Sequence, residues 1–218
     1  MTNGTVSQSK GGLFSKVALL LTASMGISAF GTYLGAGITS LGAIIALAIA
    51  FIAGAFIVPF AAKRSKEAGL VALAVWTFIS GLFLGPTMNH YVASLGWQTV
   101  FLSFLGTGGV MAACGAIGAL SGKDFSNMGK YLMFGLLALI VVGIVNIFVA
   151  FSTGVTIVYC LIGMAIFAGF FIFDFFRISK AENTWFNAIT ATMEIYLDFI
   201  NFLLYLLRFL EAVTGNKK

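Results

Sequence analysis

Met193–Leu210 reads MEIYLDFINFLLYLLRFL, and the fold turns on where this stretch is placed. Most of it is hydrocarbon, yet it carries Glu194, Asp198, Asn201, Tyr205 and Arg208, spaced by four, three, four and three residues. Positions three or four apart share one face of an α-helix, so the five polar side chains form a single stripe. The other faces are Ile, Leu and Phe. An apolar helix with one ionisable stripe belongs inside a helical bundle in a membrane, with the stripe turned away from lipid.

The rest of the chain agrees. It is 60% hydrophobic and 9% charged, with 23 phenylalanines and a mean hydropathy of +1.05. A soluble globular domain carries about 25% charged residues, so this chain cannot cover itself with a water-compatible surface. The fold class is all-α: a polytopic membrane protein of seven transmembrane helices. Each apolar segment runs roughly 19 to 25 residues, the length that a hydrocarbon core about 30 Å thick requires. They fall at Val17–Gly35, Leu41–Ala62, Gly69–Asn89, Gly96–Leu120, Tyr131–Phe151 and Val155–Arg177, with the opening stretch as the seventh. Residues 17–213 thus make one transmembrane domain. A polar leader, residues 1–16, is expected to lack structure, and residues 214–218 form a short polar tail.

Lys and Arg fix the orientation. Nine of the twelve lie on one side, at the leader and between spans two and three, four and five, and six and seven. The intervening loops, Ala36–Ser40, Thr87–Leu95 and Ser152–Gly154, carry none. The N-terminus is therefore read as cytoplasmic. Lys217 and Lys218 oppose this count if the seventh segment crosses fully; a re-entrant seventh segment would resolve it, and seven full spans is the adopted reading. The formal charge of +5 is accounted for by these loops rather than by a nucleic-acid surface.

Several chemistries are weak on composition. His90 is the single histidine, and Cys114 and Cys160 lie inside apolar runs, so no cofactor, resident metal or disulfide framework is expected. No nucleophile–base pair or phosphate-cradling loop can be assembled, and the protein is read as not an enzyme. A membrane aspartyl protease remains chemically conceivable, but the Gly-x-Gly-Asp type of context is missing. Small residues mark close-packing faces: Gly81 and Gly85 in the third span, and Gly106, Gly109, Ala112, Ala113 and Gly115 in the fourth.

The buried acids are the informative residues. Asp174 sits in GFFIFDFFRIS among five phenylalanines, with Arg177 one turn on as a local ion-pair partner. A carboxylate at mid-membrane depth costs about 2.5 kcal/mol or more. If the seventh helix began at Asn187, Asp198 would lie roughly 16 Å deep at 1.5 Å per residue and would miss Asp174. If it begins near Glu194, both aspartates sit about one turn inside, on antiparallel neighbours. The second register is adopted here, with Glu194 at the interface and Arg208 paired with Glu211. Two touching carboxyls in a medium of low dielectric cannot both ionise cheaply, and they titrate as a unit. Such a pair is a natural pH sensor and gate, and the cations Lys63 and Arg64 at the end of helix two are candidates for its counter-charge. Asn201 and Tyr205 are possible pore lining.

At these residues the chain resembles the Bax inhibitor-1 family, also known for the transmembrane Bax-inhibitor motif. FIFDFFRI and IYLDFINFLLYLLRFL carry the likeness, helped by SGLFLGP and VVGIVNIF, and the short loops resemble a bacterial member. The resemblance implies a seven-helix fold whose C-terminal helix is enclosed by the other six, in the bacterial plasma (inner) membrane. It implies a pH-sensitive calcium leak gated by an aspartyl pair, here Asp174 and Asp198, with a basic latch at Lys63 or Arg64. Calcium is then the transported ion, bound weakly if at all. Helix two has no acidic residue, which leaves calcium selectivity open. The alternative is a regulator of a membrane-anchored quality-control protease, with the leader Met1–Ser15 as the contact.

Overall fold

The computed structural model describes residues 3–215, with side chains from Gly12 onward. Lys217 and Lys218 lie outside the described residues, as do the side chains before Gly12 in the leader assigned as a partner contact. Seven α-helices follow one another: α1 (Asn3–Gly35), α2 (Leu41–Arg64), α3 (Lys66–Leu95), α4 (Trp97–Leu120), α5 (Met128–Phe148), α6 (Thr153–Lys180) and α7 (Trp185–Gly215). The first six are long and apolar enough to cross a membrane, α1 from Gly12. The chain is a polytopic integral membrane protein. α7 stands outside that set of six, and it differs from them in its ionisable stripe and in its burial.

Burial follows the sequence pattern. α2 buries only Gly54, Val58 and Ala62, and α5 only Leu139. Most of their remaining apolar side chains are exposed or half-buried, as lipid-facing helices require. α7 instead buries Ala188, Ile189, Ile195, Tyr196, Phe199, Phe202, Leu203 and Leu207 along its length.

The chain divides into two compact units. The first takes residues 1–90 and 178–196. In it the opening part of α7 touches α1, α2 and α3, and Gly31, Gly35, Gly81 and Gly85 bring the backbones of α1 and α3 together. A Cβ on Gly81 would lie 2.2 Å from the carbonyl oxygen of Ser28, so this face admits only glycine. Trp76 is buried against Gly54 and donates its indole N–H to the Phe51 carbonyl at 2.9 Å.

The second unit takes residues 91–177 and 197–218. The later part of α7 packs on α4 through Phe104 and Phe199, with ring centroids 5.0 Å apart, and on α6. α5 packs on α6, where Gly135 meets Ile166 and Gly169 meets Leu132.

Four expectations are corrected. The leader, expected to lack structure, has a helical backbone from Asn3, and Leu13 is fully buried. The expected loop at Thr87–Leu95 is helix: α3 continues through Pro86, and Gly96 alone, at φ 84°, turns the chain into α4. The packing face assigned to α4 holds only at Gly115, which with Gly118 faces α6, because Gly106 and Gly109 have open space where a Cβ would project and Ala112 and Ala113 are exposed. Finally, α7 begins at Trp185, not near Glu194, so Glu194 lies inside the helix, half-buried.

Candidate functional site

The site is built where α6 and α7 run antiparallel within the second unit. Ring contacts set their register. Phe171 meets Phe202 with centroids 6.0 Å apart, and Phe167 meets Tyr205 at 5.9 Å. Each step back of four residues along α6 is matched by a step forward of three along α7. Asp174 lies three residues beyond Phe171 on α6, and Asp198 four residues before Phe202 on α7. Those steps rise by about 4.5 and 6 Å from the Phe171–Phe202 contact, so helix geometry puts the two aspartates within about one residue's rise of each other along α6 and α7.

Both carboxyl residues are buried, Asp174 at 5% and Asp198 at 7% exposure. Asp174 also has its expected ion pair: Arg177 Nη1 lies 3.6 Å from its Oδ1. The two ends of that pair differ in surroundings, since the Arg177 side chain is 49% exposed and the Asp174 side chain 6%. A surface-reaching guanidinium thus sits over a carboxylate held in apolar packing.

α7 begins at Trp185 rather than near Glu194, so the depth count that placed both aspartates one turn inside does not apply. Counted from the Phe171–Phe202 contact, the residue level with Lys180 is Met193. Two turns of α7 therefore run on past the end of α6, about 12 Å at 1.5 Å per residue. Depth measured from the start of α7 does not give position against α6.

The other predicted residues separate into groups. Asn201 donates its side-chain amide to the Leu197 carbonyl of its own helix at 2.8 Å. Tyr205 lies along α6 against Gly163 and donates its hydroxyl to Tyr159 at 3.0 Å, and Tyr159 donates to the Leu139 carbonyl at 3.0 Å. Arg208 makes a cation–aromatic contact, its guanidinium 5.5 Å from the centre of the Tyr159 ring. Tyr159 was not singled out in the sequence, where a tyrosine in an apolar run carries no signal of its own. Lys63 and Arg64 are exposed residues of the first unit. Their cations lie over aromatic rings, Lys63 at 5.8 Å from Phe186 and Arg64 at 4.6 Å from Phe60.

The comparison with known proteins bears on this arrangement. A family model described as Inhibitor of apoptosis-promoting Bax1 matches residues 11–215. The chain belongs to the Bax inhibitor-1 family. It is similar to an uncharacterized membrane protein of Vibrio cholerae, with 37% identity over 162 residues covering 74% of this chain and 70% of that protein. It is also similar to an uncharacterized protein of Lactococcus lactis, 31% identical over 165 residues that cover 72% and 67% of the two chains. An uncharacterized membrane protein of Streptococcus pyogenes is 27% identical over 218 residues, 89% of this chain and 90% of that one. The Bax inhibitor-1 match takes in all seven helices, and with them both aspartates, Arg177 and the Tyr159–Tyr205 pair.

Proposed function

We propose that this Bax inhibitor-1 family protein is a pH-sensitive calcium leak of the bacterial inner membrane, oriented with its N-terminus in the cytoplasm. Asp174 and Asp198 are its gate. The observation that supports the reading is the burial of both carboxyls, on two helices that pack together one turn away at Phe171 and Phe202. Two such groups share a proton more easily than they bear two charges. Gain or loss of that proton switches their contact between a hydrogen bond and a repulsion, which biases the packing of α6 on α7. Calcium takes six to eight oxygen ligands. Two carboxylates with nearby carbonyls, Asn201 and Tyr205 offer a transient path rather than a tight site. The latch role that the family pattern gives Lys63 or Arg64 belongs to the same proposal.

The test is calcium flux into liposomes carrying purified protein, measured across pH. Asp174→Asn and Asp198→Asn should each flatten the pH dependence, while Glu182→Gln, an exposed acid of the α6–α7 connection, should leave it intact. Unchanged pH dependence in both aspartate variants would sink the assignment. So would flux equal to that of empty liposomes at every pH.

A further inference from the structure

Three ammonium groups from three different helices converge on the first two residues of α7. Lys16 Nζ of α1 lies 4.7 Å from the centre of the Trp185 ring, and Lys66 Nζ of α3 lies 4.2 Å from it. Lys63 Nζ of α2 lies 5.8 Å from the centre of the neighbouring Phe186 ring. The first two ammonium groups share one indole, so their separation is at most the sum of those two distances. All of these residues belong to the first unit.

Among the described residues no carboxylate pairs with them. None of the three lysines makes an ion pair among the described residues, and neither do Glu67 and Glu182, the acids nearest them along the chain. Lys16 is half-buried, so its charge is not simply a tip in water. Two helix beginnings add to the field. Lys66 is the first residue of α3 and Trp185 the first of α7, and the start of a helix carries positive partial charge. Aromatic faces stabilise ammonium groups, but they supply no negative charge to offset mutual repulsion among three of them.

We propose that this cluster is a binding site for the phosphate group of an anionic membrane phospholipid. A lipid fits better than a soluble anion for two reasons. Arg64 ends α2 and Lys66 begins α3, both membrane-length helices, so the cluster stands where the chain leaves the hydrocarbon. Trp185 has the amphipathic ring that settles at headgroup level, and lysines beside such rings attract acidic lipid. The lipid reading rests on the lysines and Trp185 alone and does not depend on the calcium reading.

The test uses the full-length protein in detergent, with phosphatidylglycerol or phosphatidylcholine added and retained lipid counted by native mass spectrometry. The wild type should retain phosphatidylglycerol in preference to phosphatidylcholine. A Lys16→Gln, Lys63→Gln, Lys66→Gln variant should lose about fivefold in apparent affinity per lysine, about a hundredfold in all. The corresponding triple arginine variant should restore retention. Lys123→Gln with Lys130→Gln removes two charges from the α4–α5 region and should change nothing. If the triple glutamine variant does not fold, the exposed pair Lys63→Gln with Lys66→Gln carries the test, with about a 25-fold loss expected. Wild-type retention in the glutamine variants overturns the proposal. An equal loss in the Lys123 and Lys130 control also overturns it, because diffuse charge would then be the cause. Displacement of phosphatidylglycerol by inorganic phosphate would replace the lipid with a soluble anion as the occupant.

Discussion

Tyr196 donates its phenolic hydrogen to Ser80 Oγ at 2.8 Å, and both residues are buried. Ser28 Oγ lies 2.6 Å from the same phenolic oxygen, so one hydroxyl of α7 ties together α1 and α3. Removing it strands two serine hydroxyls away from water. Tyr196→Phe should lower stability by about 1 kcal/mol, the scale of a hydrogen bond between membrane helices. Unfolding in detergent would show it. Ser80→Ala in the Tyr196→Phe background should cost less than Ser80→Ala alone, and equal costs would mean that the hydroxyls do not act together.

The α1–α3 contact gives a second prediction. Gly81 has the Ser28 carbonyl where a Cβ would go, and Gly118 has the Ile172 carbonyl oxygen 2.1 Å from such a Cβ. Alanine at either position has to push backbone aside and should cost about 1–3 kcal/mol. Alanine at Gly106, which faces open space, should be neutral or stabilise by up to about 1 kcal/mol through helix propensity. Three thermal unfolding curves decide it, and a destabilised Gly106→Ala would contradict the packing described.

Gly96 makes the α3–α4 turn alone, at φ 84° and ψ 150°. That combination is close to glycine-only backbone, so Gly96→Ala should cost about 1–3 kcal/mol although nothing crowds its side. Gly37, in the α1–α2 connection, is just as uncrowded and has no positive φ, and Gly37→Ala should be tolerated. Paired melting temperatures separate backbone strain from loss of space.

Tyr159 serves two neighbours at once, the Tyr205 hydroxyl and the Arg208 guanidinium. Tyr159→Phe removes the hydroxyl chain and keeps the ring, whereas Tyr159→Leu removes both. The leucine variant should therefore be the less stable, by about 0.5–2 kcal/mol, the range of a cation–aromatic contact. Repeating the pair in an Arg208→Gln background should shrink that difference. A difference that persists would assign it to packing instead.

The helix count and most boundaries were legible in the sequence because long apolar runs allow few alternatives in a membrane. The start of α7 was not. Asn187, Thr190 and Thr192 read as a polar connection, but they fit a helix because their polar groups bond locally. Thr190 Oγ1 donates to the Phe186 carbonyl, Thr192 Oγ1 to the Ala188 carbonyl at 2.7 Å, and the Asn187 side-chain amide to the Glu182 carbonyl. Thr87–Leu95 misled in the same way: polar Asn89 and His90 stand beside Tyr91, which is buried. Small residues alone did not say which face meets a helix, as Gly106 and Gly118 show. The burial of Asp174 and Asp198 was legible from their apolar surroundings, whereas the depth count placed the start of α7 too late. The lysines around Trp185 could not be grouped from sequence, since Lys16 and Lys66 come from different helices far from it along the chain.

The length and stripe of α7 also bear on how the protein is made. The chain is synthesised from its N-terminus, so α7 leaves the ribosome after the other six helices. With Glu194, Asp198, Arg208 and Glu211 along it, α7 is the helix least able to enter lipid by itself. Its partners on α1, α2, α3, α4 and α6 already exist by then, and they supply an interior that a bare bilayer lacks. The first six helices are apolar enough to enter a membrane by themselves, whereas the seventh gains from an interior that the others have already built.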